Sequence, residues 1–141
     1  MTTDELTESE SQIGFGLTLP LSYDAAVNTV TAALKEQGFG VLTEIDGKAT
    51  MKQKLDVNFR PYTILGACNS SLAHRALSED LQIGLMLPCN VVVYETDGGS
   101  PVEFLDPVKA LGAVGNEKIN PVAEEARARL TQVAQSLRAR Q

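Results

Sequence analysis

The chain has 141 residues, with 18 Asp and Glu against 12 Lys and Arg, one His, two Cys and no Trp. That length suits a single domain with its own core, and 43% hydrophobic with 21% charged residues excludes wholesale disorder. A formal net charge of -6 argues against nucleic acid as a partner, because a phosphate binder needs a basic face.

The charge is uneven. Asp4, Glu5, Glu8 and Glu10 crowd the first ten residues, and setting them aside leaves 14 acids against 12 bases. Residues 1–11, MTTDELTESES, read as a disordered acidic tail, and residues 12–141 as one α+β domain. The start is not a signal peptide, and no run approaches ~18 apolar residues, so no membrane partner is expected. The expected compartment is the cytoplasm, with Cys68 and Cys89 reduced.

Gln12–Leu19 alternates Ile13, Phe15, Leu17 and Leu19 and predicts a first strand, ended by Pro20. Ser22 caps a helix whose Tyr23, Ala26, Val27, Val30 and Leu34 form one apolar stripe, closed by Gly38. Phe39–Ile45 is a strand. Lys48–Leu55 is either a strand returning from an Asp46-Gly47 turn or a helix capped by Asp46; its helix formers and its Met51–Leu55 pair favour the helix.

Tyr62–Ala67 is a strand and Ser71–Glu79 a short helix. Gly84–Thr96 is the most apolar run and is apolar on both faces, which predicts a central strand. Pro101–Leu105 returns after the Asp97–Ser100 turn. Asp106-Pro107 starts a turn or a single helical turn to Leu111, and Asn120-Pro121 starts the last helix, with Asn120 as its cap. The sum is a two-layer α+β domain with a mixed or mostly antiparallel sheet of about five strands and helices on one face.

Two cysteines each precede an asparagine, at Cys68-Asn69-Ser70 and Cys89-Asn90. Cys68 falls at a strand-to-helix junction, where unpaired N–H groups can hold a thiolate or an anion. Cys89 lies in the apolar run and is more simply a core residue. Parallel strands would bring Cys68 near Cys89; antiparallel strands would set it beside the start of the second strand instead. Cys68, Asn69, Ser70, Cys89 and Asn90 are the candidate ligand-binding residues, for a small anion, thiol or sulfur species.

No metal and no cofactor is expected. Cys68, His74 and Cys89 match no zinc spacing, and His74 reads as solvent-facing. No phosphate loop, nucleophile elbow or acid–base pair stands out, so the function read from the sequence is a non-enzymatic binding module centred on the Cys68-Asn69 junction, with a non-catalytic homodimeric interaction protein or a Cys68/Cys89 thiol redox module as the alternatives and an enzymatic role left open.

The segments Leu65–Asn69 and Leu87–Glu95, with Gly40–Asp46, Phe59–Tyr62, Ala76-Leu77 and Ile83–Leu85, resemble the prokaryotic family known as domain of unknown function 302. The resemblance runs from about Ile13 to Leu137. It departs from the family at Ser70, where proline is usual. It implies a fold similar to the TATA-binding-protein arrangement, the helical reading of Lys48–Leu55, and a homodimer. It implies no activity, although some members look associated with sulfur-handling domains.

Overall fold

The computed structural model describes residues 8–140. In chain order the elements are β1 (Glu8–Glu10), β2 (Gly14–Leu19), α1 (Tyr23–Glu36), β3 (Gly40–Asp46), α2 (Gly47–Leu55), β4 (Tyr62–Cys68), α3 (Ser70–Glu79), β5 (Cys89–Tyr94), β6 (Ser100–Leu105), α4 (Pro107–Leu111) and α5 (Asn120–Ala139). Three 3-10 turns, at Leu81–Met86, Gly112–Val114 and Glu117–Ile119, join them. No described helix is long and apolar enough to cross a membrane.

The strands form one sheet in the order β1-β2-β6-β5-β4-β3, with every pairing antiparallel. The mixed alternative is therefore set aside. The sixth strand is a correction to the expected tail. Glu8–Glu10 pairs with Leu17–Phe15, and Lys109 Nζ ties it down through the Glu10 carboxylate (3.4 Å) and the Ser11 carbonyl (2.7 Å). An edge strand of acids carries no apolar signal, so composition alone read it as tail. Residues 1–7 of that tail lie outside the described residues.

One face of the sheet carries the core. Leu17, Leu19, Leu65, Ala67, Val91, Val93, Val102 and Phe104 project from it against Ala26, Val30 and Leu34 of α1 and Leu130, Val133 and Leu137 of α5. Ser22 caps α1 by accepting the Ala25 N–H, and Gly38 closes it in the left-handed region at φ +84°. A second cluster joins Leu72 and Ala76 of α3 to Ile83, Leu111, Ile119, Val122 and Ala126. Arg75 of α3 and Arg129 both bind Glu125 of α5, and the Arg75 hydrogen bond holds that carboxyl below its ordinary range.

Helix α2 departs from this layer. Asp46 caps it by accepting the Ala49 N–H at 2.9 Å, which decides the helix over the hairpin. Yet none of its residues is buried.

Two further boundaries differ from the sequence reading. The apolar run Gly84–Thr96 enters the sheet only at Cys89. Asp80 accepts the Gln82 N–H at 2.9 Å and winds Leu81–Met86 into a 3-10 turn, and Pro88 has no N–H for a ladder. Asn120 is not a cap: α5 starts without a side-chain cap, while Asn116 caps the turn before it.

Candidate functional site

The candidate residues sit at the end of the β4–β5 pair. Ala67 lies opposite Cys89 and Gly66 opposite Asn90, so Cys68 is one step past the register of Cys89. Antiparallel pairing was expected to part the cysteines. It brings them together, because the late start of β5 makes Cys89 itself the beginning of the strand.

Cys68, Asn69 and Cys89 border one apolar cavity of about 30 Å³, walled by Phe39, Leu72, Leu87 and Leu111 among others. It lies at the seam between the two core clusters. That volume suits a water-sized occupant, whereas drug-sized ligand pockets run to roughly 300–1,000 Å³.

Burial pushes the Cys68 thiol up from its ordinary value. Cys89 is pushed up to about 11, by burial first and by the charge of a neighbouring Cys68 thiolate second. Both are free thiols. The upward direction at Cys68 is opposite to the lowering a helix start can supply. The first turn of α3 is served by Asn69, whose Oδ1 accepts the Leu72 N–H at 3.1 Å. Asn69 is itself buried, and its Nδ2 points toward Gly38. The asparagine is a buried cap that fastens α3 beside the end of α1.

The other two candidates do not join this cavity. Ser70 is the exposed first residue of α3. Asn90 is exposed on the opposite face of the sheet, where it borders a groove of about 310 Å³ with Ile13, Tyr62, Val92 and Leu105. His74 is exposed, as expected. Among the described residues no group of three or more His, Cys, Asp or Glu could hold a metal ion.

That second face is what the site reading missed. Tyr62 and Tyr94 face each other in register and stack with ring centroids 5.3 Å apart. Phe59 leans on Tyr62 at 6.1 Å. Ile64 pairs with Val92 beside them. All four strand residues are only half-buried. The signal was present in the alternation of β4 and β5, each apolar on both sides. It served to place β5 in the interior of the sheet, which is correct, and the expected helices on one face leave this second face of β4 and β5 without a covering layer.

The family described as Domain of unknown function DUF302 matches residues 15–137. This chain belongs to that family. The crystal structure of an uncharacterized conserved DUF302 protein from Bacillus stearothermophilus is similar to it over 89% of this chain and 98% of the other. The two share 25% identity, with a TM-score of 0.82. No curated protein matches the chain. DUF302 membership thus confirms the resemblance and the two-layer α+β architecture, and leaves the activity to be argued from the residues.

Proposed function

We propose that this DUF302 protein is a non-catalytic interaction module that works as a homodimer. One observation carries the reading: the second face of β4 and β5, with Tyr62, Ile64, Val92 and Tyr94, is apolar and half-exposed. A contiguous apolar face left partly open to solvent is a mark of an interaction site. The cytoplasm suits the free thiols of Cys68 and Cys89. The test is the mass of the full chain in solution at micromolar concentration. A dimer of 15.1 kDa subunits is expected. A strictly monomeric mass across that range defeats the reading.

A second reading is a small-ligand site at the cavity, favoured by the two thiols that border it. With both thiols protonated at neutral pH, no Lys or Arg on its walls and room only for a water-sized occupant, the cavity supports a neutral sulfur species of the size of hydrogen sulfide rather than an anion or a larger thiol. A thermal-shift titration with sulfide tests it, since a ligand that binds only the folded state raises the melting temperature. No shift with sulfide removes this reading. A redox pair at Cys68 and Cys89 has less support, because the two are out of register by one residue.

A further inference from the structure

Helix α2 has nine residues and buries none of them. Isolated helices below about 12–15 residues are marginal in water, and most helices are held by the packing of one face. The Asp46 cap and the exposed Lys52–Asp56 pair add little to that. The segment 48–60 is exposed throughout and stands out from the fold as a convex element.

Apolar and basic side chains collect on it together. Of the ten large hydrophobic side chains exposed among the described residues, six lie in residues 42–59: Leu42, Ile45, Met51, Leu55, Val57 and Phe59. Met51 and Leu55 are four apart and share one face of α2. At about 100° per residue, Lys52 and Lys54 flank that ridge at about 80° on either side, and Lys48 precedes it by one turn. Residues 47–60 carry Lys48, Lys52, Lys54 and Arg60 against the single acid Asp56, in a chain whose net charge is -6.

The neighbouring acids keep off this ridge. Glu44 and Asp46 pair with Leu65 and Thr63, which puts them on the helix-covered face, and Asp46 is taken up as the α2 cap. Ile45 between them pairs with Ile64 on the open face. Glu95 and Asp97 share a groove with Phe59 and Arg60, at the opposite end of the segment from the lysines of α2. An apolar ridge edged by cations on a convex element is complementary to a soft anionic surface. Its Leu, Met and Phe side chains reach the acyl boundary while the long lysines keep their charges at the headgroups. A folded protein partner would instead have to offer a matching apolar groove.

We infer that residues 47–60 make a peripheral contact with an anionic phospholipid surface, with Met51, Leu55 and Phe59 inserted and Lys48, Lys52, Lys54 and Arg60 at the headgroups. The interface supplies the burial that α2 lacks within the chain. Such a contact lies on the bilayer and needs no spanning helix, and no described helix is long and apolar enough to be one. It goes beyond the homodimer reading and does not depend on it.

The test is co-sedimentation of the full chain with vesicles of mixed phosphatidylglycerol and phosphatidylcholine, and with vesicles of phosphatidylcholine alone. Binding is expected to the anionic vesicles only, and is expected to fall away at about 1 M salt, where the screening length is ~3 Å. Leu55→Glu is expected to weaken it by about 10-fold or more, since it takes one anchor out of the ridge. Lys54→Gln is expected to weaken it by about 5-fold, the share of one basic side chain at an anionic surface. Leu81→Glu, equally exposed but on the 3-10 turn after α3, is expected to leave it unchanged. Exchange of the α2 amides is expected to slow on the anionic vesicles. Near-ultraviolet circular dichroism checks that each variant is folded, and a folding failure in Leu55→Glu leaves Lys54→Gln to decide. No binding to the anionic vesicles, equal binding to the neutral ones, or binding untouched by both substitutions overturns the proposal. Self-association that is lost with Leu55→Glu and comes without vesicle binding gives the segment to a second copy and overturns it as well. The mass of the wild-type chain without vesicles tests the homodimer separately.

Discussion

Asn69 and Gly38 are fitted to one another. A Cβ built on Gly38 would stand 2.9 Å from Asn69 Nδ2, and Gly38 already occupies φ +84° to turn the chain from α1 into β3. Gly38→Ala therefore meets two penalties at once, a left-handed backbone and a side chain with no room to retreat, because Asn69 is held by its cap. The expected loss is about 1–2 kcal/mol, or roughly 3–7 °C in melting temperature for a domain of this size. Thermal unfolding of the variant measures it.

The other half of that contact gives a second prediction. Asn69→Ala removes the acceptor for the Leu72 N–H at the buried start of α3 and is expected to cost about 1–2 kcal/mol in urea unfolding. Asn69→Ser keeps an acceptor at the cap and is expected to recover at least half of that loss. Equal losses in the two variants would mean that packing, not capping, is what Asn69 supplies.

Sequence alone carried the regular elements well, and the failures share a cause. Helix α1 was readable from Ser22, its stripe and Gly38, and α2 from the cap at Asp46. The two Cys-Asn steps look alike in sequence, yet one ends a strand and caps a helix while the other begins a strand, so Asn69 is buried and Asn90 is exposed on the opposite face. That distinction depends on where β5 begins, which Asp80 and Pro88 decide from outside the apolar pattern. The edge strand Glu8–Glu10 was illegible for a similar reason. Its partner residues in β2 and its Lys109 contact are distant in sequence, and nothing in Glu-Ser-Glu announces them.

The thiols make a prediction with a definite sign. Cys89 titrates at about 11 in the fold against an ordinary value of 9.0, so the native state favours the protonated thiol. Its contribution to stability is complete below about pH 9 and is lost as the pH rises toward 11. Between those limits wild type is expected to lose stability more steeply than Cys89→Ala in urea titrations under reductant. The comparison between the two proteins matters, because Tyr23 and Tyr94 are also raised and titrate in alkali. At neutral pH the same protonation predicts slow iodoacetamide labelling of both cysteines in the native protein and rapid labelling in urea. Rapid native labelling of Cys68 would revive the nucleophile that its burial argues against.

Asp106 supplies the last prediction. Its side chain is 2% exposed, and it sits where β6 ends and α4 begins. Oδ1 accepts the Val108 N–H at 2.9 Å and the Lys109 N–H at 3.4 Å, while Oδ2 accepts from Arg127 Nε of α5 at 2.9 Å. Arg127 in turn lies over the Phe15 ring at 5.9 Å, so one carboxylate links the end of the sheet to the long helix. Asp106→Ala strips the cap and leaves the guanidinium without its partner, an expected cost of about 2–3 kcal/mol. Asp106→Asn keeps an acceptor for the cap but turns an amide donor toward Arg127, and is expected to fall between alanine and wild type. Arg127→Ala leaves a buried carboxylate with only the cap to satisfy it. Because Arg127 is 45% exposed, solvent screens the pair, and a double-mutant cycle is expected to give a coupling of about 1 kcal/mol rather than the full value of a buried ion pair. A coupling near zero would show that Asp106 serves α4 as a cap and holds α5 by nothing more than proximity.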